Sequence, residues 1–197
     1  MSEQLRFEQK PRPIPAATHR KVLEAAAELL SGKGYPSVTI EAIAAKAGVA
    51  KTTIYRWWPS KAAILLDLFD TIGTEQLTDP ATGNVAGDLK VYLKALLGLM
   101  SGTIPGEAAA GMFAEAQGDP AMKDEVCAHF SEFRQIVLNQ IVDRALSSGD
   151  LRRDVDRRLI EDLIIAPFWY RLLIAHEPMS AEECERHIDV VLSGLAP

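Results

Sequence analysis

Cysteine is nearly absent from this 197-residue chain: Cys127 and Cys184 stand far apart, in no C-x-x-C spacing. A disulfide framework and a cysteine-rich zinc module are both excluded, and a reducing cytoplasm fits. Long hydrophobic runs are missing too. The longest, around residues 163–169, contains Pro167 and falls far short of the roughly 20 residues a membrane span needs, so no membrane partner is expected. The opening stretch to Arg12 is polar and charged, unlike a secretory leader. No G-x-S-x-G, Walker A or G-x-G-x-x-G motif occurs. His129 and Glu132 are three apart and His176 adjoins Glu177, but spacing supplies no third metal ligand. The expectation is a protein with no catalytic residues, no metal and no cofactor, hence not an enzyme.

What is present is the material of a folded domain. Hydrophobic residues at 48% and charged residues at 24% argue against pervasive disorder. The net charge of −6 is unevenly spread. Residues 1–61 hold ten Lys and Arg against five Glu, a surplus of five positive charges. Residues 62–197 hold eleven basic against twenty-two acidic side chains, a deficit of eleven. A basic piece joined to an acidic one points to a polyanion partner at one end only.

The periodicity is helical and strands are nearly absent. Pro11, Pro13 and Pro15 make the first segment an extended arm. Thr18 is expected to cap a helix running to Gly32–Gly34, with Val22, Leu23, Ala26, Leu29 and Leu30 at helical spacing. Thr39 opens a short helix that Gly48 ends, and a second short helix runs from about Ala50 to Trp57. Ser60 caps a longer helix from Lys61. A loop over Thr78 to Gly87 precedes a helix carrying Leu89, Tyr92, Leu96 and Met100. Ile104-Pro105-Gly106 is read as an interruption before the next. Asp119-Pro120 opens a pattern of about 28 residues, and two more helices, Arg157 to His176 and Ser180 to Leu195, follow. The expected fold is all-α with about nine helices. A flexible basic arm over residues 1–17 leads to a three-helix head at 18–61, and a larger helical body fills 62–197.

Residues 39–61 carry the sharpest signal. A helix-turn-helix unit needs a small residue where two helices cross, a glycine in the turn, and apolar residues that pack the second helix on the first. Ala44, Gly48, and the pair Val49 and Ile54 meet those needs. The outer face of the second helix then shows Lys51, Thr52, Thr53, Tyr55 and Arg56, which are suited to base edges and phosphates in a major groove. A tight helical corner made only for packing would not call for that basic and hydroxyl face.

The run T-I-E-A-I-A-A-K-A-G-V-A-K-T-T-I-Y-R-W-W-P-S-K-A-A-I-L, from Thr39 to Leu65, resembles the N-terminal signature of the TetR family of transcriptional regulators. The close match covers residues ~18–66. G-D-L-R-R-D-V-D from Gly149 resembles a common connection before that family's eighth helix. The resemblance implies a double-stranded DNA partner and roles for single residues. Thr39 would cap its helix and donate to a phosphate. Lys51 and Thr52 would meet bases, Thr53 and Tyr55 phosphate, and Arg56 a guanine edge. Trp57 stands where His or Tyr is usual, with an indole N–H that can still reach phosphate. Trp58 stands for the usual Phe and packs. Lys61 would reach the DNA backbone. Ala50 departs from the common Ser, so one phosphate hydrogen bond is missing. Arg6, Lys10 and Arg12 are candidates for a minor-groove arm, with a solvated tail as the alternative.

The resemblance further implies a body that binds a small-molecule effector and pairs two protomers. Tyr92, Leu96, Met100, Met112, Phe113, His129, Phe133 and Trp169 are the candidate lining, of a type that suits an apolar or aromatic ligand; plain core is the alternative for each. The last two helices are apolar on more than one face. Ile164, Phe168, Leu172, Ile188, Val191 and Leu192 are the candidate dimer interface. The resulting expectation is a homodimeric repressor released from a palindromic operator by its effector. Two other readings stay open: a regulator without a ligand, controlled by a partner, and a helical interaction or catalytic protein with a vestigial head.

Overall fold

A computed structural model describes residues 14–73 and 76–197, apart from the side chains of residues 133–135. The arm residues Arg6, Lys10 and Arg12 and the side chain of Phe133 lie outside the described residues. Among those described, the chain forms nine α-helices, one 3₁₀ turn and one π-helical turn, with no strand.

The chain divides into two compact units, one of residues up to Ile72 with Ile104–His129, the other of Gly73–Thr103 with Phe130–Pro197. In the first unit, α1 (Ala16–Lys33) begins two residues before Thr18. The Pro15 carbonyl already accepts from Thr18 and His19, at 2.8 and 3.0 Å, so the Thr18 amide lies inside the first turn and its side chain caps nothing. A 3₁₀ turn, Tyr35–Ser37, leads to α2 (Ile40–Ala47) and α3 (Lys51–Trp57). α4 (Lys61–Gly73) buries Ala62, Ile64, Leu65, Leu66, Leu68 and Phe69. The Ser60 hydroxyl caps it by accepting from the Ala63 amide at 2.9 Å. α6 (Ile104–Ala116) starts at Ile104 itself, where an interruption is expected from sequence. Pro105 and Gly106 fall in its first turn, where an amide is not needed. α6 packs on α1 and the 3₁₀ turn.

α7 (Pro120–Ser148) has 29 residues, about 43 Å of helix. Asp119 caps it, accepting from Ala121 and Met122 at 3.0 and 3.2 Å. Its first ten residues belong to the first unit and the rest to the second.

In the second unit, α5 (Val85–Met100) packs on α9 (Ala181–Leu195). Asn84 caps α5 through the Gly87 amide at 2.7 Å, so Gly87 lies in the first helical turn and not in the preceding loop. α8 (Arg157–Trp169) stops short of the expected His176, and residues Tyr170–Ile174 form a π-helical turn. Pro167 explains the change: it offers no amide and its ring crowds the preceding turn, so the ladder widens just after it. A full capping box, Ser180 with Glu183, opens α9.

Candidate nucleic-acid interface

The interface is built from α2, the turn and α3. The Thr39 side chain accepts from the Ala42 amide at 3.1 Å, which fixes the start of α2 and leaves its hydroxyl proton free to donate outward. Gly48 ends α2 at φ 65°, ψ 34°. That left-handed conformation suits a residue without Cβ and turns the chain into α3. Ala50 precedes α3 with no side-chain cap. Ile54 is fully buried, anchoring α3 on the rest of the unit. Burial of such a side chain contributes about 1.5–3 kcal/mol. Lys51, Thr52, Tyr55 and Arg56 lie on the opposite face and are exposed, with Thr53 and Trp57 part-exposed at its edge. The sequence-expected face of α3 is thus one surface, with Thr39 exposed at the start of the neighbouring helix.

The cations on this surface are held by neighbours. Lys51 Nζ lies 2.7 Å from Glu41 on α2, and its hydrogen bond keeps the Glu41 carboxyl below the usual carboxylate range. The Arg56 guanidinium sits 5.0 Å above the Trp57 ring. Lys61 has both kinds of partner. Its ammonium is 2.6 Å from Glu115 on α6 and 4.4 Å from the Tyr35 ring centroid.

Trp58, at the end of α3, is buried. Its indole nitrogen donates to Asp67 on α4 at 2.8 Å, the same carboxylate oxygen lies 2.8 Å from His19 Nε2 on α1, and the His19 and Trp58 rings stack. This link fixes α3 against both helices, and reading Trp58 as simple apolar packing does not reveal it. An open groove of about 390 Å³ lies beside the surface, lined by Thr39, Tyr55, Lys61, Glu115, Met122 and Glu125 among others.

The eight candidate effector residues are divided between the units. Met112 is buried and Phe113 and His129 part-buried in the first, where His129 Nε2 lies 3.0 Å from Asp70 and its ring meets Phe69 edge to face. Tyr92, Leu96 and Met100 are buried on one face of α5 in the second. Trp169 packs edge to face on Phe130 and on Phe168. Of the seven whose side chains are described, none lines the groove beside α3 or the second unit's cavity around Asp88, Arg144 and Ser148.

The six candidate dimer residues differ in kind. Ile164, Phe168 and Ile188 are closed inside the second unit and have no surface to offer a partner; Leu172, Val191 and Leu192 are part-exposed. The exposed apolar surface on these elements belongs to Leu159, Leu163, Tyr170, Ile174 and Val190. The first four, with Ala166 and Pro167, follow helical spacing and form one stripe. That spacing is present in the sequence and is the signal that separates them from the buried set.

Two family models match the chain: "Bacterial regulatory proteins, tetR family" over residues 22–68, and "Tetracyclin repressor-like, C-terminal domain" over residues 79–191. The HTH-type transcriptional regulator YdeS of Bacillus subtilis is 33% identical over 172 residues, covering 86% of this chain and 85% of that protein. The DNA-binding transcriptional repressor TetR of Mycobacteroides abscessus is 28% identical over 174 residues, covering 87% and 90%. The crystal structure of the TetR family transcription regulator SCO0332 superposes with a TM-score of 0.74 at 31% identity, over 91% of this chain and 99% of that one. These relatives are regulators of transcription, not enzymes.

Proposed function

The chain belongs to the TetR family of bacterial regulatory proteins, and from that membership we propose a homodimeric repressor released from a palindromic operator by a small apolar or aromatic effector. It is a DNA-binding transcriptional regulator. One observation carries the reading of DNA by α3: the exposed face of Lys51, Thr52, Tyr55 and Arg56, backed by a fully buried Ile54. In this reading residues 18–61 bind DNA, residues 62–197 bind the effector and pair the protomers, and the regulator works in the cytoplasm.

The exposed stripe on α8 and the π turn, with Val190 on α9, supports pairing through those elements. A two-fold dimer would set its two α3 helices in successive major grooves, about 34 Å apart. The repressor role draws support from the repressor of M. abscessus, similar over 87% of this chain. The effector class follows from residue type, as Tyr92, Leu96 and Met100 repeat on one face of α5.

The test is fluorescence anisotropy on DNA from upstream of the chain's own gene, at stated salt, with and without nonspecific competitor. Tight binding that survives competitor supports a specific regulator and supplies the assay for an effector screen. Binding that competitor abolishes counts against sequence reading by α3 at that site.

A further inference from the structure

α6 approaches the head through a gap left by Gly111. A Cβ built there would overlap the Tyr35 ring, so the glycine is what lets the ring lie flat against the helix. Glu115 is one turn further along the same face of α6. Its carboxylate meets the Lys61 ammonium at 2.6 Å, and that ammonium lies 4.4 Å from the Tyr35 ring centroid. Burial, then the Glu115 carboxylate beside it, push the Tyr35 phenol far above the ordinary tyrosine range, so it stays neutral. Lys61 is therefore a cation with two partners, one aromatic and one anionic, neither of them in the helix-turn-helix.

A lysine ammonium has one unit of charge to place. While Glu115 neutralises it, Lys61 adds little to the attraction for a phosphate. To contact DNA it must leave the carboxylate. The pair is only partly exposed, at 23% and 40% of the two side chains, so solvent screens it less than an open surface pair.

We propose that Glu115 is a positioning residue that sets the DNA affinity of this regulator by competing with the DNA backbone for Lys61. The inference rests on the DNA-binding reading above and deepens it. It assigns α6 a direct electrostatic hold on the head: when Glu115 stays in reach, one phosphate contact is withheld, and when Glu115 withdraws, that contact is gained.

Backbone contacts do not depend on sequence, so the test needs no operator. The full-length protein is titrated onto a mixed-sequence duplex by anisotropy, between about 50 and 200 mM salt. Glu115→Gln and Glu115→Ala should both bind about threefold to tenfold tighter. Their plot of log affinity against log salt should steepen by about 0.9 for each head engaged. Adding Lys61→Ala to Glu115→Gln should erase that variant's gain in affinity and in slope. Unchanged affinity and slope in both Glu115 variants overturn the proposal. A gain that persists in the double variant overturns it too, because general loss of negative charge then explains the effect. If the wild type binds no duplex at low salt, the DNA-binding reading falls and the proposal with it. Wild-type binding with unresponsive Glu115 variants fells the proposal alone.

Discussion

The Trp58 indole nitrogen donates to a carboxylate oxygen of Asp67 across 2.8 Å, inside the unit that carries the recognition surface. A carboxylate that is 8% exposed needs such donors, and His19 supplies another at the same oxygen. Trp58→Phe keeps an aromatic ring but removes the N–H donor together with the pyrrole half of the indole, so a small cavity adds to the loss of the donor. The expected cost of the lost donor is about 1–3 kcal/mol, the range for leaving a buried polar group short of a partner. Urea melts of the two proteins check it. A variant as stable as the wild type would mean that His19 and solvent satisfy Asp67 unaided.

A second prediction concerns pH and the second unit. Asp88 is buried and accepts from Arg144 at 2.7 Å and from the Thr82 amide and hydroxyl at 2.6 and 2.7 Å. Burial alone would raise its pKa, but these hydrogen bonds outweigh it and hold the carboxyl below the usual range. The folded pKa is thus below the unfolded value of about 3.9. The stabilisation is complete above that value and is lost as pH falls through the folded one. Asp88→Asn should lower stability near neutral pH by about 1–3 kcal/mol. It should also flatten the acid limb of the stability curve by up to about one bound proton. Thermal melts across the acid range would show parallel limbs if Asp88 were not responsible.

Sequence chemistry was legible where a decision is made within a few residues. The Thr39 cap, the Gly48 turn and the burial of Ile54 depend on neighbours one or two turns away. The outward face of α3 follows from those three. Pairings between distant segments were not legible. Nothing near Lys61 in sequence announces Glu115, and nothing near Trp58 announces that His19 shares Asp67. On α8 the difficulty was different. Both faces are apolar, so composition alone cannot say which packs inward. Ile164 and Phe168 went into the core while Leu159 and Leu163 stayed outside. The Pro167 ring was visible, but whether the ladder would kink, break or widen there depends on what packs around it.

The third prediction follows from that exposed stripe. Ile174 and Val190 are 68% and 70% exposed in the single chain. A charge at either position costs an isolated protomer little, within about 0.5 kcal/mol. In a buried apolar interface the same charge goes unpaired and is strongly unfavourable. Ile174→Glu and Val190→Asp should therefore weaken self-association in sedimentation velocity without lowering thermal stability measured at low protein concentration. Ile188→Ala is the contrast: it opens a cavity in the core and should cost about 2–5 kcal/mol of stability. Surface variants that associate like the wild type would move the interface elsewhere.

The last prediction weighs two uses of one guanidinium. Arg56 rests 5.0 Å above the Trp57 ring, an interaction worth about 0.5–1 kcal/mol at an exposed site. A bidentate contact to the O6 and N7 of a guanine discriminates by about 1–3 kcal/mol. The base wins, so Arg56 is expected to swing from Trp57 to DNA on binding. Arg56→Ala should relax preference at a single base-pair position of the operator by that amount and leave the other positions unchanged. Arg56→Lys should fail to restore it, because an ammonium lacks the planar fork that spans both acceptors. Lys51→Ala and Tyr55→Ala should weaken operator binding and leave the association state as it was. Selection of preferred sequences from a randomised pool, run on wild type and Arg56→Ala side by side, decides the matter. Identical preferences at every position would remove Arg56 from the reading face and leave it as a cation stacked on Trp57.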